Sequence, residues 1–538
     1  MRWLACIVGV LALFVTNAAA QDTPVQRVEI QVLSVDADTV RVDRGRSAGI
    51  QSGDRVRIFA AGLPTIEGTV QSVREDSCRV EIPSGTIGID PGTSGEVLVP
   101  VDRDAAVDLP WTAPSEDFDP NSPLLLGQAT PSSEREPAWR GRTFLQGEWA
   151  GSSGAGSSDN YFTNLGVDVL YENPFARGGR LHLNADLWTR AVDVDGGLDV
   201  SQARLRFDRL SYSFGGTRTQ PDRWQFGRFL QHEFPELGVL DGVEFGRRLE
   251  NGSRVGGSIG FLPETYEDFR TGEDLAAAMF YRHLMGAEDR IALGASYQKT
   301  WHAGKSDRDL FLTTLDMRVN QHVNVWSTAW IDAYGSSAAN KSSGLELTQF
   351  VSGVTWANRS RQGATFSLTQ TRWPELLRDG FASLDPNLLA NGKVDRARVQ
   401  GWTPLSENVH LRASIDRWSD QDASGDGMEV FVGWREILGE HSELGLAVFN
   451  RDAKFNDVQG YRLTGYRMTD LGTFRATVEP SRVSGATADG SSKDNQLRLR
   501  GSWDQRLGID WYLSVYAQTT SFGGIDTRTL GFHLQRSF

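Results

Sequence analysis

From about residue 142 to the C-terminus, apolar and polar residues alternate in runs of strand length. In the last run Leu530, Phe532, Leu534 and Phe538 share one parity, and Thr529, Gly531, His533, Gln535 and Ser537 share the other. Leu181, Leu183, Ala185 and Leu187 alternate with His182, Asn184 and Asp186 in the same way. So do Val409, Leu411, Ala413 and Ile415 with His410, Arg412, Ser414 and Asp416. A period of two is the signature of a β-strand with unlike faces. Here it predicts strands with one side in lipid and the other in a polar lumen. Arg528 and Arg536 share the apolar parity of the last strand near its opposite ends, where long basic side chains reach toward headgroups.

The connections between runs add a second pattern. Short turns are expected near 250–252, 285–288, 320–322, 358–361, 405–407, 437–441, 469–471 and 504–506. Longer polar connections are expected near 262–275, 302–308, 335–343, 371–397, 419–427, 451–459, 480–495 and 518–527. Bacterial outer-membrane barrels alternate short periplasmic turns with long surface loops, and the runs segment into about 22 strands, within a range of roughly 18–22. The expected fold is all-β: a large antiparallel transmembrane barrel over 141–538, preceded by a small β-barrel-like domain. Closure removes the strand edges that lipid penalises. An even strand number brings both barrel ends to the periplasm.

Residues 21–100 hold that small domain. Val28–Leu33, Thr39–Val42, Asp54–Ile58, Gly68–Val73, Cys78–Ile82 and Glu96–Val99 are short β-rich runs broken by glycine and aspartate. They suggest a closed or nearly closed barrel facing the periplasm. Gly49-Ile-Gln-Ser-Gly53-Asp54 reads as a turn before a strand, and it resembles turns in small β modules of bacterial envelope and adaptor proteins. Between this domain and the large barrel, residues 101–140 lose the alternation and carry Pro110, Pro114, Pro120, Pro123, Pro131 and Pro137. They read as a linker or an extended strap.

Residues 1–20 read as a signal peptide: Arg2, an apolar stretch Leu4–Val15, and Ala18-Ala19-Ala20 at the cleavage site. Its removal takes Cys6 with it and leaves Cys78, which rules out an intrachain disulfide and a thiolate metal cluster. No later stretch reads as a membrane-spanning helix. A net charge of -14 argues against nucleic acid as a partner.

Polar parity places Arg204, Arg206, Arg412, Asp416, Arg498 and Arg500 on the expected lumen wall. An arginine excess there favours anionic or oxygen-rich solutes; the alternative is that arginine–carboxylate pairs only tie adjacent strands together. Trp224-Gln-Phe-Gly-Arg228-Phe, followed by Phe234-Pro-Glu-Leu-Gly-Val-Leu-Asp241-Gly-Val-Glu-Phe245, resembles the strand–loop–strand of alginate-export-type and related substrate-specific porins. The resemblance implies a monomeric barrel with an arginine-rich lumen passing anionic polysaccharides or small acids, with Arg228 and Asp241 on the lumen wall near the constriction.

Trp188, Trp224, Phe280, Tyr281, Trp330, Trp356, Trp418, Trp434, Trp503, Trp511 and Phe538 are candidates for interfacial aromatic belts. Phe538 is also the terminal residue expected to matter for membrane insertion. Trp373-Pro-Glu-Leu-Leu-Arg-Asp379 opens the longest connection with a short helix expected at Pro374. Zinc-protease, phosphate-loop and serine-elbow motifs are absent, and the histidines are scattered without a neighbouring nucleophile. No enzyme activity, metal or cofactor is expected. The reading is a porin-like outer-membrane channel for polar or anionic solutes, saccharides among them. The alternative is a structural outer-membrane anchor that binds a partner through the N-terminal domain. Expected partners are outer-membrane lipid and lipopolysaccharide, the barrel-assembly machinery, and a periplasmic protein or peptidoglycan.

Overall fold

The computed structural model describes residues 25–100 apart from 37–38, 59–65, 75–76, 83–88 and 90–92, and residues 136–538 apart from 154–156, 195–199, 217–219, 265–270, 286–289, 336–340, 359, 378–391, 488–489 and 509. The signal peptide expected at 1–20 lies outside the described residues, as does residue range 101–135 of the proline-rich segment.

Six strands form the small domain: β1 (Val25–Asp36), β2 (Thr39–Val42), β3 (Arg55–Ile58), β4 (Ile66–Val73), β5 (Cys78–Glu81) and β6 (Ser94–Pro100). They close in the order β1-β2-β5-β4-β3-β6, with β6 paired back onto β1. Val40, Val42, Val56, Ile58 and Val80 point inward and are fully buried together with Ile50. Each contributes about 1.5–3 kcal/mol on burial. Gly49 and Gly53 adopt φ of 78° and 95°, a region glycine enters without a Cβ clash. The Asp54 carboxylate accepts the Gln51 amide at 2.7 Å. The turn expected at 49–54 is there for these two reasons.

The large barrel is built from β7 (Ala138–Ser152), β8 (Ser158–Glu172), β9 (Arg180–Val194), β10 (Val200–Phe214), β11 (Asp222–Leu230), β12 (Val239–Arg248), β13 (Arg254–Leu262) and β14 (Asp274–Met285). It continues through β15 (Ile291–His302), β16 (Lys305–Arg318), β17 (Val323–Tyr334), β18 (Gly344–Ala357), β19 (Gly363–Arg372), β20 (Lys393–Pro404) and β21 (Val409–Ser419). It ends with β22 (Ser424–Arg435), β23 (Ser442–Asp452), β24 (Asn456–Thr469), β25 (Gly472–Thr487), β26 (Gly490–Arg506), β27 (Trp511–Phe522) and β28 (Ile525–Ser537). Each strand pairs antiparallel with its sequence neighbour, and β28 closes onto β7. Phe538 fastens the closure: its N–H donates to the Gly141 carbonyl at 2.9 Å, and the Gly141 N–H donates to the Phe538 carbonyl at 2.8 Å.

The two barrels are inside-out relative to one another. The small one buries its apolar parity in the middle; the large one turns it outward. Met279, Leu205 and Ile259 are 63%, 59% and 57% exposed. Cross-strand register joins these side chains into a belt, through Leu165, Leu187 and Leu205 on one side and Phe366, Val399, Ile415 and Met428 on another. A continuous apolar surface of this kind marks contact with lipid, not water. The large unit is a transmembrane barrel of the outer-membrane type, with the small domain on the periplasmic side.

Several surface connections are shorter than the sequence suggests. Ala303-Gly304 and Gly523-Gly524 are two-residue hairpins, and β25 and β26 extend to Thr487 and from Gly490. Strands that project beyond the lipid belt are wet on both faces, so their polar residues read as loop. Among the aromatic candidates, Trp224, Tyr281 and Trp356 are exposed on the outer face. Trp511 is stacked by the Arg536 guanidinium 5.6 Å from its ring centroid. Phe280 and Trp330 instead face the lumen, where Phe280 is buried with Leu310 and Leu312. Residues 373–376 form no helix, and most of the connection that follows lies outside the described residues.

Candidate functional site: the lumen wall and its periplasmic mouth

Parity places Arg412 and Asp416 on the inner face of β21, because Ile415 between them is exposed to lipid. The same argument places Arg498 and Arg500 inside β26, flanking the exposed Leu499. Neighbouring strands add Arg396, Arg462 and Arg475. Carboxylates interleave with them. Arg396 Nε donates to Asp416 at 3.0 Å. Arg462 donates to Glu479 and Arg475 to Asp504. Arg498 lies 3.5 Å from Glu479. Arg412 and Arg500 stack on Phe431 and Tyr516 at 5.1 and 5.6 Å. This half of the wall is therefore a held array of guanidinium groups, oriented by both carboxylates and rings. Farther round, Arg206 Nε is 3.0 Å from Asp186 and 3.1 Å from Asp208. Arg204 lies over the Trp188 ring at 5.5 Å. All six of these sequence candidates reach the lumen side, but they fall into two groups, on β10 and on β21–β26.

The small barrel sits in the periplasmic mouth. Its Arg41 donates to Asn324 Oδ1 at 2.9 Å and pairs with Asp316 at 3.4 Å. Arg79 reaches the same Asp316 at 3.1 Å. Across the mouth, Glu29 lies 3.6 Å from Arg435 and 3.8 Å from Arg361. Gln535 donates to Glu67 at 3.1 Å, and Arg57 lies over the Tyr512 ring at 5.9 Å. Thr355 donates to the Leu33 carbonyl at 3.4 Å. Asp316, Thr355 and Gln535 are each two residues inside the periplasmic end of their strands, so the domain enters the opening instead of merely lying beneath it. Burial there lowers the Arg41 guanidinium to about 10, against the opposing attraction of Asp316. Between the small barrel and the β20–β26 wall remains a cavity of about 490 Å³, lined by Gln31 and Thr93 on one side and by Arg412, Arg462, Arg475 and Arg500 on the other.

A second element narrows the lumen from the surface side. Residues 231–238 connect β11 to β12 and fold inward, packing Phe234 and Leu237 against Phe280, Leu310 and Leu312. Glycine at 294 makes room: a Cβ there would come within 2.7 Å of the Phe234 ring. Gln231 and Gln298 both donate to the Leu237 carbonyl at 3.2 Å. Arg254 holds Glu233 at 2.7 Å, and Arg223 holds Glu244 at 3.0 Å. The sequence does not mark this loop as inward-folding, because nothing in Gln231–Gly238 distinguishes a buried loop from a surface one.

Arg228 and Asp241 are paired, but not on the lumen wall. Their register neighbours Leu210 and Phe261 are 50% and 38% exposed to lipid. The intervening Phe229 and Leu240 are the inward, buried residues. The expectation of a constriction pair is corrected by parity: Gln225 and Glu244 face inward, and three steps along each strand reverses the face. The sequence gives no sign of the docking role of Asp316, Asn324 or Glu29, because that role comes from contacts hundreds of positions apart.

No protein-family model matches the chain, and no curated protein does. Among solved structures it is similar to the translocation pore of the P pilus usher PapC, at 10% identity over 74% of this chain and 99% of that one, with a TM-score of 0.45. It is similar to Pseudomonas aeruginosa OccK7 (OpdD) at 10% identity over 75% of this chain and 99% of that one, with a TM-score of 0.40. Acinetobacter baumannii OccAB4 is similar at 8% identity over 76% of this chain and 99% of that one, with a TM-score of 0.34.

Proposed function

We propose that the protein is an outer-membrane channel or translocon whose periplasmic mouth is controlled by its own N-terminal barrel, and that its solutes are polar or anionic, saccharides included. The observation that carries this reading is the guanidinium array on β21–β26 facing a cavity that Gln31 and Thr93 of the small barrel line on the periplasmic side. Fixed guanidinium groups in a narrow aqueous passage raise the local concentration of anions and offer paired donors to carboxylate or sulfate oxygens. The small barrel is held largely by ionic contacts, each weak alone in water. Such contacts suit an element that leaves the mouth when a partner competes for it.

A second reading follows from the same docking. If the small barrel stays in the mouth, the protein is an outer-membrane anchor that engages a periplasmic protein or peptidoglycan through that domain. Planar-bilayer recordings separate the two. A channel gives anion-selective current that rises when Glu29 and Asp316 are replaced by lysine. An anchor gives no current in either form. Lipopolysaccharide around the belt and the barrel-assembly machinery acting on the Phe538 end are the further partners of either reading.

A further inference from the structure

β10 runs from its surface end at Val200 to its periplasmic end at Phe214. On one flank β9 pairs with it along nearly its whole length, from Val200–Val192 to Ser213–Arg180. On the other flank the ladder to β11 covers only Leu210–Phe214. β11 ends at Leu230, and the chain there turns into the lumen. The surface half of β10 is thus left with no strand on its second flank among the described residues. Shorter stretches of this kind occur at the surface ends of β16 (Lys305–Asp309) and β18 (Gly344–Thr348), but within the apolar layer hydrocarbon supplies no partner for N–H and C=O groups.

One contact shows which backbone groups face the open flank. The Phe207 carbonyl accepts Nη1 of Arg228 at 2.9 Å. Successive residues of a strand direct their backbone groups to alternate sides, so Leu205, Ala203 and Ser201 face the same way as Phe207. Leu205 and Phe207 are both exposed apolar side chains, and Leu205 lies in register with Leu187 of the lipid belt. The open flank therefore begins within the apolar layer and continues to the surface. A charged side chain caps its first carbonyl.

We propose that this flank is a strand-addition site for an extended peptide segment. The segment runs antiparallel to β10, from the periplasmic toward the surface side. Its apolar side chains face lipid beside Leu205 and Phe207, and its acidic side chains face the lumen beside Arg204 and Arg206. Backbone groups at strand spacing are matched by another strand's backbone and not by an acyl chain, which would bury them without partners. On the lumen side this flank presents Arg204, which lies over the Trp188 ring, and Arg206, which is shared between Asp186 and Asp208, so an acidic residue of the segment is matched at Arg204. A second copy does not fit. Two barrels inserted the same way up are related by an axis normal to the membrane, which leaves their β10 strands pointing the same way and sets arginine against arginine.

The test uses the purified full chain in nanodiscs and a fluorescent synthetic peptide of alternating valine and glutamate. Fluorescence anisotropy reads binding, and amide hydrogen exchange reads the site. The expected result is binding that slows exchange at Ala203 and Leu205 by about tenfold or more, the scale of one or two added hydrogen bonds. N-methylation of alternate peptide amides abolishes it. Leu205→Pro, which removes an N–H directed to the open flank, also abolishes it, and Leu205→Val retains it. If the proline variant fails to insert, the methylated peptide still discriminates. Three results overturn the proposal: no binding, binding indifferent to methylation, or exchange at Ala203 and Leu205 already slow without peptide. The last would mean that this chain fills its own flank.

Discussion

Arg228 and Asp241 face each other across β11 and β12 on the lipid side of the barrel, with Arg228 Nε 2.6 Å from Asp241 Oδ1 and a second guanidinium nitrogen on Oδ2. Their side chains are only 14% and 18% exposed, sheltered between Leu210 and Phe261. A charge on the lipid face of a barrel is costly when alone. The two-pronged geometry and the Phe207 carbonyl explain why this one is kept: the pair neutralises itself and closes the top of a short seam.

Removing one partner is therefore worse than removing both. Asp241→Leu leaves Arg228 without its carboxylate and is expected to destabilise the barrel by about 3–5 kcal/mol. The double variant Arg228→Met with Asp241→Leu is expected to lose markedly less. Guanidinium unfolding in detergent, followed by the gel shift of heated against unheated barrel, measures both. Equal losses in the single and double variants would refute the account.

Docking of the small barrel is expected to depend on Asp316 more than on any single partner across the mouth, because Arg41 and Arg79 converge on it. Asp316→Asn weakens both contacts together. At about 0.2–1 kcal/mol for each partly exposed pair, the undocked population rises by roughly two- to thirtyfold, and added salt reproduces part of the effect. Proteolysis of the linker-proximal strands and the open probability in bilayers report it. A salt-insensitive, unchanged mouth would show that packing and not charge seats the domain.

The inward loop at 231–238 is expected to respond to its apolar anchor. Phe234 is 2% exposed among Phe280, Leu310 and Leu312, so Phe234→Ala costs about 3–5 kcal/mol at that site. Gly294→Val acts from the opposite side by placing a side chain where the Phe234 ring lies. Both changes widen the lumen and raise single-channel conductance without altering strand pairing. Unaltered conductance in both would mean that the loop does not bound the narrowest section.

Cys78 supplies a reporter inside the small barrel. Burial pushes its thiol up to about 12, with Asp43 and Asp54 adding in the same direction. At pH 8 only roughly one molecule in ten thousand carries the reactive thiolate. Maleimide or disulfide reagents are expected to leave the native chain unlabelled and to label it once denaturant opens β1–β6. The sign for stability follows. The folded domain holds the proton more tightly than the unfolded chain, so stability is unaffected below the ordinary thiol value of 9.0 and falls as pH rises from there toward about 12. Cys78→Ser removes this dependence. Rapid labelling at pH 8 without denaturant would contradict the buried position.

The strand faces of this protein were legible from its residues alone. Leu530, Phe532 and Leu534 against His533 and Gln535 state which side meets lipid, because a strand's period is two whatever its neighbours do. The count of 22 strands, the small barrel and the lumen side of Arg412, Asp416, Arg498 and Arg500 follow from that local rule. The rule stops at register and closure. Parity along β11 and β12 has no absolute reference until neighbouring strands are paired, which is why the resemblance puts Arg228 and Asp241 on the lumen wall while the closed barrel turns them outward. The inward path of 231–238 depends on a space left by Gly294, 56 positions beyond Gly238. The seat of the small barrel depends on Arg41 meeting Asp316 across 275 residues. Contacts between distant segments are energies of the closed structure, and no local pattern encodes them.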